Sequence, residues 1–364
     1  MAVQARQLIS YIAPAAPATR RPASGDEAFL RPEVGFMPRW FSAKLGVHFG
    51  ERWHTGPAYR RETVVAMRAE LRRRFPAARI GGDDRPDRPL DLLTGTYGTC
   101  LVAGLYGAPI RYARDHWPDC ERRYLSGGQV DALTPPDLAA SPLFQDLMRQ
   151  VHWIAAHEGR VEGFLNWQGV LNNAHRLRGE ALLLDMLQNP GRARRLFECI
   201  CTTMIDGARR LHARQRETGA AVGFFTVSNC LVNLISPRQY AEMLLPFDRR
   251  IAETFRCIGV HHCAGKADGY LDHYATIPHV AYIDMGPDSD LPRARRAFPH
   301  ARRAVLYSPM DLARKPIDTI REDLARIARG YGPCDVVVAD VDAGVPDERV
   351  GAVVNICAEL SRGR

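Results

Sequence analysis

Apolar runs of strand length alternate with stretches of helical patterning from residue 141 to the end of the chain. The predicted strands in this region are Gly163–Trp167, Ala221–Val227, Cys257–Cys263, His279–Ile283, Ala304–Tyr307 and Asp335–Ala339. The predicted helices are Gly179–Gln215, interrupted near Pro190, then Pro237–Arg256, Lys266–Ala275, Leu291–Ala297, Pro316–Arg329 and Pro346–Leu360. This repeated strand–helix order predicts parallel strands joined by right-handed crossovers.

The number of these units favours a closed barrel over an open sheet. Two earlier apolar runs, Leu92–Tyr97 and Leu101–Ile110, can supply the remaining strands of an eight-stranded barrel. A doubly wound dinucleotide-binding sheet normally carries a G-x-G-x-x-G segment after its first strand, and the sequence has none. We therefore predict an α/β fold, a (β/α)8 TIM barrel over residues 91–364.

The stretch before the barrel divides into two parts. Residues 28–90 are expected to form an N-terminal helical segment that packs on the barrel, because FMPRWFSAKLGVHFGERWH and PAYRRETVVAMRAELRRRFP have helical patterning. Residues 1–27 are rich in Ala and Pro and are expected to form a flexible N-terminal extension.

Composition and charge exclude several classes of protein. Of the 364 residues, 46% are hydrophobic and 25% are charged, as in a globular enzyme and unlike a disordered chain. The net charge is +8, but the arginines are scattered in pairs and triples on helical stretches, which argues against a nucleic-acid partner. No apolar run reaches the ~18 residues of a membrane span, the nine cysteines lack a disulfide spacing, and no secretory signal is recognised. We expect a cytoplasmic protein without a membrane partner.

Polar residues close the predicted strands, where a TIM barrel places its active site. These residues are Asn166–Gln168, Ser228–Asn229, His261–Cys263, Asp284, Ser308 and Asp340–Asp342. They are far more polar than the runs that they end, as the mouth of an active site requires.

His261 and Cys263 are the candidates for metal ligation. Residues i and i+2 of a strand point to the same face, so the two side chains project together. A His nitrogen and a Cys sulfur supply two of the three protein ligands of a catalytic zinc ion. The structural alternative is a buried thiol packed as a small hydrophobe beside hydrogen-bonded histidines.

Three residues are candidates for a third ligand. Sulfur chemistry favours Cys334, but Cys334 opens its strand and would lie ~20 Å from the mouth. Asp340 directly follows the apolar run VVVA and is the preferred choice, and Asp342 comes two residues later. A nitrogen, sulfur and oxygen donor set leaves cobalt or iron open beside zinc, which is favoured. Helix capping near Pro346 is the structural alternative for both aspartates.

Three segments occur in an order that resembles a known superfamily. They are GEALLLDMLQNPGRARRLFECI, then NLISPRQYAEMLLPF with a helix and HHCAGKADGY behind it, and finally VVADVDAGVPDERVGAVVNICAEL. Over roughly residues 140–362 this order and spacing resemble the uroporphyrinogen decarboxylase superfamily, and more vaguely over residues 36–112. The resemblance implies a TIM barrel and one of two activities.

The resemblance is closer to the methyltransferase branch of that superfamily than to the decarboxylase branch. The decarboxylases use no metal and grip an acidic tetrapyrrole with an R-Q-A-G-R-type segment, which this sequence lacks. The methyltransferases use zinc to activate a thiol and exchange methyl groups with a corrinoid protein, and their ligands are an H-x-C pair and a later Cys. His261 and Cys263 match the pair, whereas Asp340 stands for the later Cys and Ala264 for the usual Gly.

These observations predict a metal-dependent methyltransferase that acts on a small molecule, either a thiol or a heterocycle nitrogen. A divalent ion and a methyl donor are expected. A corrinoid protein is a candidate partner, and a homodimer is a candidate assembly because such barrels often pair, although the sequence is silent on oligomeric state. Candidate substrate contacts, each with a plain structural role as the alternative, are Trp117, Asn166, Gln168, Asn229, Asp284 and His54, which could belong to a lid.

Two other functions remain open from the sequence. A cofactor-free decarboxylase would hold an acidic substrate with basic residues and use Asp284 for proton transfer. A non-enzymatic metal- or corrinoid-binding module would bind its ligand tightly without turnover.

Overall fold

Parallel strands surrounded by helices make up the part of the chain that the structure, a computed structural model, describes: Gly25 and residues 27–78, 80 and 89–362. The predicted flexible extension, residues 1–27, lies almost wholly outside these residues. The strands are β1 Leu30–Phe36, β2 Ile110–Arg111, β3 Asp119–Cys120, β4 Phe224–Ser228, β5 Cys257–His261, β6 Val280–Met285, β7 Arg302–Leu306 and β8 Cys334–Val341.

Helices follow and separate the strands. They are α1 Pro38–Leu45, α2 Glu51–Thr55, α3 Pro57–Arg74, α4 Leu101–Leu105, α5 Gly127–Asp131, α6 Pro142–Glu158, α7 Val170–Arg178, α8 Ala181–Gln188, α9 Pro190–Glu217, a 3₁₀ turn at Val232–Leu234, α10 Pro237–Met243, α11 Leu245–Thr254, α12 Leu271–Tyr274, α13 Leu291–Ala297, α14 Pro309–Arg314, α15 Ile317–Tyr331 and α16 Asp347–Ser361. The interruption expected near Pro190 is a helix start: Asn189 caps α9 by accepting from the Arg192 N–H, and Pro190 opens the helix.

One sheet forms the wall of the barrel. Its order is β1-β8-β7-β6-β5-β4, and every neighbouring pair is parallel. The register aligns Ser228 of β4 with His261 of β5, and His261 with Asp284 of β6. Because the strands are parallel, these three polar residues lie side by side at one edge of the sheet, at the carboxyl ends of their strands.

Irregular segments continue the sheet beyond β4. The N–H of Ser228 donates to the carbonyl of Gln168, and Asp91 forms a parallel bridge with Glu162. The predicted runs Gly163–Trp167 and Leu92–Tyr97 therefore lie beside the sheet without a regular ladder. The prediction of a strand at Leu101–Ile110 was wrong, because Leu101–Leu105 forms α4 and Ile110 begins the short β2–β3 hairpin.

β1 is a strand that the pattern of hydrophobic residues does not predict. Residues 30–36 were expected in the helical segment, yet all seven residues are buried and six of them pair with β8. Their charges break the apolar pattern that would mark a buried strand. Arg31 is neutralised by Glu27 at 2.7 Å and by Asp335 of β8, which also accepts from Arg302 at 2.6 Å. Paired charges inside the barrel thus replace an apolar run.

The fold class predicted from the sequence, a TIM barrel, is confirmed. The nine cysteines all fall among the described residues, and each is a free thiol. Among the helices of the described ranges, none is long and apolar enough to cross a membrane.

Candidate metal centre

Two thiols and an imidazole converge at the carboxyl ends of β4 and β5. The ligand atoms of Cys230, His261 and Cys263 all lie within 4.8 Å of one another. Cys230 is the second residue after β4, His261 ends β5, and Cys263 follows two residues later. His261 is buried and the two thiols are half-buried. Such a nitrogen and sulfur donor set is the type that binds zinc in catalytic sites with three protein ligands.

A single carboxylate orients two of these residues. The Nδ1 atom of His261 lies 2.7 Å from Oδ2 of Asp284, which also accepts from the Tyr282 hydroxyl at 3.0 Å. The other oxygen, Oδ1, accepts from the backbone N–H of Cys263 at 3.2 Å. With Nδ1 engaged, Nε2 is the nitrogen that remains for an ion. This carboxylate–histidine arrangement is the usual support of a metal-bound histidine.

Cys263 lies in a constrained turn and has a lowered pKa. Its φ of 67° is left-handed, a conformation that non-glycine residues adopt at a cost and that recurs at functional sites. The pKa of Cys263 is lowered to about 4, chiefly by a hydrogen bond with the Cys230 thiol and further by His261, against the effect of burial. The thiolate is the form that binds metals and attacks electrophiles.

The turn after Cys263 packs closely on β6. A Cβ atom at Gly286 would lie 2.0 Å from the Ala264 carbonyl oxygen, so only glycine fits there. The N–H of Gly286 donates to the carbonyl of Gly265 at 3.0 Å. The residue after β6 thereby fixes the turn that carries one of the thiols.

A buried network fixes the loop that carries Cys230. The Asn229 N–H donates to the His261 carbonyl at 2.7 Å, and its side-chain amide donates to Asp248 at 3.1 Å. Asp248 also accepts from the Tyr240 hydroxyl at 2.6 Å. Burial raises the pKa of Asp248 to about 6, although both hydrogen bonds oppose this rise. Asn229 was predicted to contact substrate. In the structure its side chain donates to Asp248 and so holds the loop that carries Cys230.

The three candidates for the third ligand occupy different places. Asp340 lies close to the thiol cluster: burial and the charge of Cys263 raise its pKa to about 6, while His261 opposes this rise. Its φ of 60° is also left-handed. Asp342 is 3.9 Å from Arg39 and half exposed, and its Oδ1 accepts from the next backbone N–H. Cys334 is buried at the start of β8, at the opposite end of the strand from Asp340.

Cys230 is the member of the cluster that the sequence reading missed. Its signal was present, because it directly follows Ser228–Asn229, the polar pair that closes a predicted strand. Cys230 was not predicted as a ligand because strand alternation relates only residues of the same strand. The contact between Cys230 and Cys263 arises from the pairing of β4 with β5.

Buried amides connect the other expected substrate contacts to the same loop. Asn166 accepts from both the backbone and the side chain of Gln168, at 3.1 and 2.9 Å. Gln168 accepts from Asn172 at 2.9 Å, and Asn172 accepts from the Leu231 N–H at 3.2 Å. Gln168 is a third residue here with a left-handed backbone, at φ 61°. Through the hydrogen bond between Asn172 of α7 and Leu231, these amides therefore stabilise the loop that carries Cys230.

His54 and Trp117 meet in an aromatic cluster. Their ring centroids are 6.5 Å apart, and His54 stacks on Tyr112 at 5.3 Å. The Nδ1 atom of His54 accepts from the Tyr97 N–H at 3.1 Å. Burial, helped by the charge of Arg60, lowers the pKa of His54 to about 3, so the ring is neutral. A role of these two residues in substrate binding stays a prediction.

Comparisons with known proteins agree with this architecture. The family model described as uroporphyrinogen decarboxylase (URO-D) matches residues 88–357. Among solved structures, a methyltransferase from Methanosarcina mazei superposes with a TM-score of 0.59 at 14% identity, covering 95% of this chain and 96% of the other. No curated protein sequence gives a significant match. With nearly three quarters of its length matched, the chain belongs to the uroporphyrinogen decarboxylase (URO-D) family.

Proposed function

We propose that this protein is a metal-dependent methyltransferase in which Cys230, His261 and Cys263 hold a divalent ion. The observation that carries the proposal is the convergence of two thiols and an oriented imidazole within 4.8 Å at the carboxyl ends of neighbouring strands. The methyltransferase from Methanosarcina mazei, which has a similar fold, adds support. Membership of the family alone does not separate this activity from decarboxylation.

The donor set favours zinc. Two sulfurs and one nitrogen are softer than the nitrogen, sulfur and oxygen set expected from the sequence, and soft thiolates select zinc over harder ions. Three protein ligands leave a fourth position for substrate, as in catalytic zinc sites. Asp340, beside the cluster, is either a further ligand or the carboxylate that faces the substrate.

Each residue of the site has a distinct part in the proposed reaction. Asp284 contacts Nδ1 of His261 and so orients the ring with Nε2 as the atom that would bind the ion. The lowered pKa of Cys263 favours its thiolate form at neutral pH. A bound ion would supply Lewis acidity that lowers the pKa of a substrate thiol or ring nitrogen. Asp340 is the nearby carboxylate that could take up the proton lost by the substrate.

The buried position of Asp284 disfavours the decarboxylase alternative in the form that the sequence suggested. Asp284 is fully buried, and its two oxygens accept from Tyr282 and Cys263 and contact His261. A carboxylate so enclosed is suited to orienting its neighbours and poorly placed for proton transfer to a substrate.

Metal analysis combined with an activity assay tests the proposal. Purified wild type should contain about one zinc ion per chain, and Cys230→Ser and Cys263→Ser should lose it. Cys257→Ser is the matched control, since this half-buried free thiol lies at the opposite end of β5. Loaded protein should then transfer methyl from methylcobalamin or a methylated folate to thiols or azoles. A metal-free wild type after adding zinc back would overturn the proposal, as would decarboxylation that resists chelation.

A further inference from the structure

A cavity lies on the opposite face of the barrel from the thiol cluster. It has a volume of about 290 Å³ and is lined by the last turns of α9, the end of α11 and the residues before β4 and β5. Gly223 directly precedes β4 and Arg256 directly precedes β5, so the cavity lies at the amino ends of these parallel strands. Catalysis in TIM barrels takes place at the other face. The cavity is therefore separate from the proposed metal centre.

Three arginines and no carboxylate line this cavity. Arg209 and Arg216 come from α9, where their spacing of seven places them with His212 on one face, and Arg256 lies across from them. Within the described residues, none of these three guanidinium groups forms an ion pair with an acidic side chain. The acidic residue next to Arg216, Glu217, pairs with Arg214 instead. The lining thus carries three arginine charges on exposed side chains, and no carboxylate of the lining offsets them.

The floor of the cavity is built from buried groups. His212 is 7% exposed and packs edge-on against Phe255, with 5.4 Å between the ring centroids. Burial, with the charge of Arg216, lowers the pKa of His212 to about 4, so its ring is neutral at pH 7 and can offer an N–H. Gly223 leaves room for Arg256, whose Cβ and Cδ atoms lie 3.4 and 3.7 Å from the place where a Cβ would stand. The aliphatic part of Arg256 therefore packs against Gly223 in the lining of the cavity.

We infer that this cavity binds a compact polyanion, a small molecule with two or more phosphate or carboxylate groups. Guanidinium groups bind such oxygens bidentately, and three of them match a ligand with several negative charges better than a single anion. The C-terminal ends of helices such as α9 and α11 favour cations by themselves, so the presence of arginines there does not by itself indicate a ligand. The concave cavity between the three arginines, without any carboxylate in its lining, is what points to a ligand.

Calorimetric titration of the full-length, metal-loaded protein tests this inference, with pyrophosphate and citrate as the two probes. Wild type should bind at least one of them saturably at a stoichiometry near one. Tighter binding of pyrophosphate would identify a phosphorylated ligand, and tighter binding of citrate a polycarboxylate. The Arg216→Gln/Arg256→Gln double variant should bind at least about tenfold more weakly, because charge-assisted hydrogen bonds are lost.

Arg210→Gln is the matched control, since Arg210 is exposed on α9 and does not line the cavity. This variant should bind as wild type does. If the double variant fails to fold, the single Arg256→Gln variant replaces it, with a smaller loss of affinity expected. Absence of saturable binding of both probes to wild type would overturn the inference, and so would unchanged binding in the double variant. Because both probes also chelate zinc, loss of binding in Cys263→Ser protein would place them at the metal centre and would likewise overturn the inference.

Discussion

His261 and Asp284 lie opposite each other on neighbouring strands, with Nδ1 and Oδ2 separated by 2.7 Å. The same carboxylate accepts the backbone N–H of Cys263. One buried residue of β6 therefore sets both the ring orientation of His261 and the turn that places the Cys263 thiolate. The geometry of the cluster depends on the register between β5 and β6 as much as on the ligands.

Replacing Asp284 should weaken metal binding without removing a ligand. In Asp284→Asn, an NH2 group replaces one of the two carboxylate oxygens, so at least one of the three hydrogen bonds from His261, Tyr282 and Cys263 is lost. We expect zinc affinity to fall about 10–100-fold, the usual effect of losing such support. Competition with a chromophoric chelator measures it. Asp288→Asn, at an exposed position in the following loop, serves as the control. Equal affinity in Asp284→Asn and the control would contradict the supporting role.

The reactivity of Cys263 should follow its lowered pKa. In metal-free protein, alkylation of Cys263 by iodoacetamide should change little between pH 5 and 8, because a group with a pKa of about 4 is already a thiolate there. Cys230→Ala removes the main cause of that low pKa, so the rate at pH 6 should fall at least about tenfold. Peptide mapping by mass spectrometry follows this one thiol, and Cys257→Ala is the control. A wild-type rate that climbs tenfold per pH unit up to pH 8 would refute this account.

Asp248 should make the protein less stable as pH rises from about 4 to about 6. Its pKa is raised from 3.8 to about 6 in the folded state, so its contribution to stability is present below the unfolded pKa and is lost as pH rises through about 6. At pH 7 the buried charge costs about 3 kcal/mol relative to pH below 4. The neutral Asp248→Asn variant keeps an acceptor for Tyr240 and Asn229. Its free energy of unfolding should therefore exceed that of wild type by up to this amount at pH 7.

Denaturant unfolding of both proteins from pH 4 to 8 measures that difference directly. The difference in free energy of unfolding between wild type and Asp248→Asn should vanish toward pH 4. The variant should keep its zinc. Asp248→Ala should behave oppositely, losing about 2–4 kcal/mol and weakening zinc binding, because Tyr240 and Asn229 are left without their acceptor. A pH-independent gap between wild type and Asp248→Asn would rule out titration of Asp248 as the cause.

Asp340→Ala distinguishes a ligand from a substrate-facing carboxylate. With Cys230, His261 and Cys263 intact, we expect the variant to keep zinc with less than about a tenfold loss of affinity. Methyl transfer should fall by about 10²-fold or more, the usual contribution of a positioned acid or base. Elemental analysis and initial rates are the two readouts. Loss of zinc as complete as in Cys263→Ser would instead make Asp340 a ligand of the ion.

Sequence patterns predicted the later half of the barrel because its strands are apolar runs, as at Ala304–Tyr307 and Asp335–Ala339. β1 was missed because Arg31, Pro32 and Glu33 interrupt its pattern, and the burial of Arg31 depends on its ion pairs with Glu27 and Asp335. Charges that cancel across strands leave no periodic signal in one strand.

The candidate site likewise contains residues that one strand's pattern predicts and residues that depend on pairing between strands. His261 and Cys263 could be predicted because alternation within one strand places them on one face. Cys230 could not be paired with them, because its proximity depends on the alignment of Ser228 with His261 across β4 and β5. The same holds for Asp284, which the sequence marked as a polar strand end but whose contact with His261 arises from strand register.

X-ray absorption at the zinc edge of the loaded protein tests the central claim most directly, because it counts sulfur ligands. Wild type should show two sulfurs at ~2.3 Å and nitrogen or oxygen neighbours at ~2.0–2.1 Å, and Cys230→Ala should show one sulfur. His261→Ala should keep both sulfurs. A wild-type spectrum with a single sulfur, or the same two sulfurs in Cys230→Ala, would contradict the assignment of Cys230, His261 and Cys263 as the metal ligands.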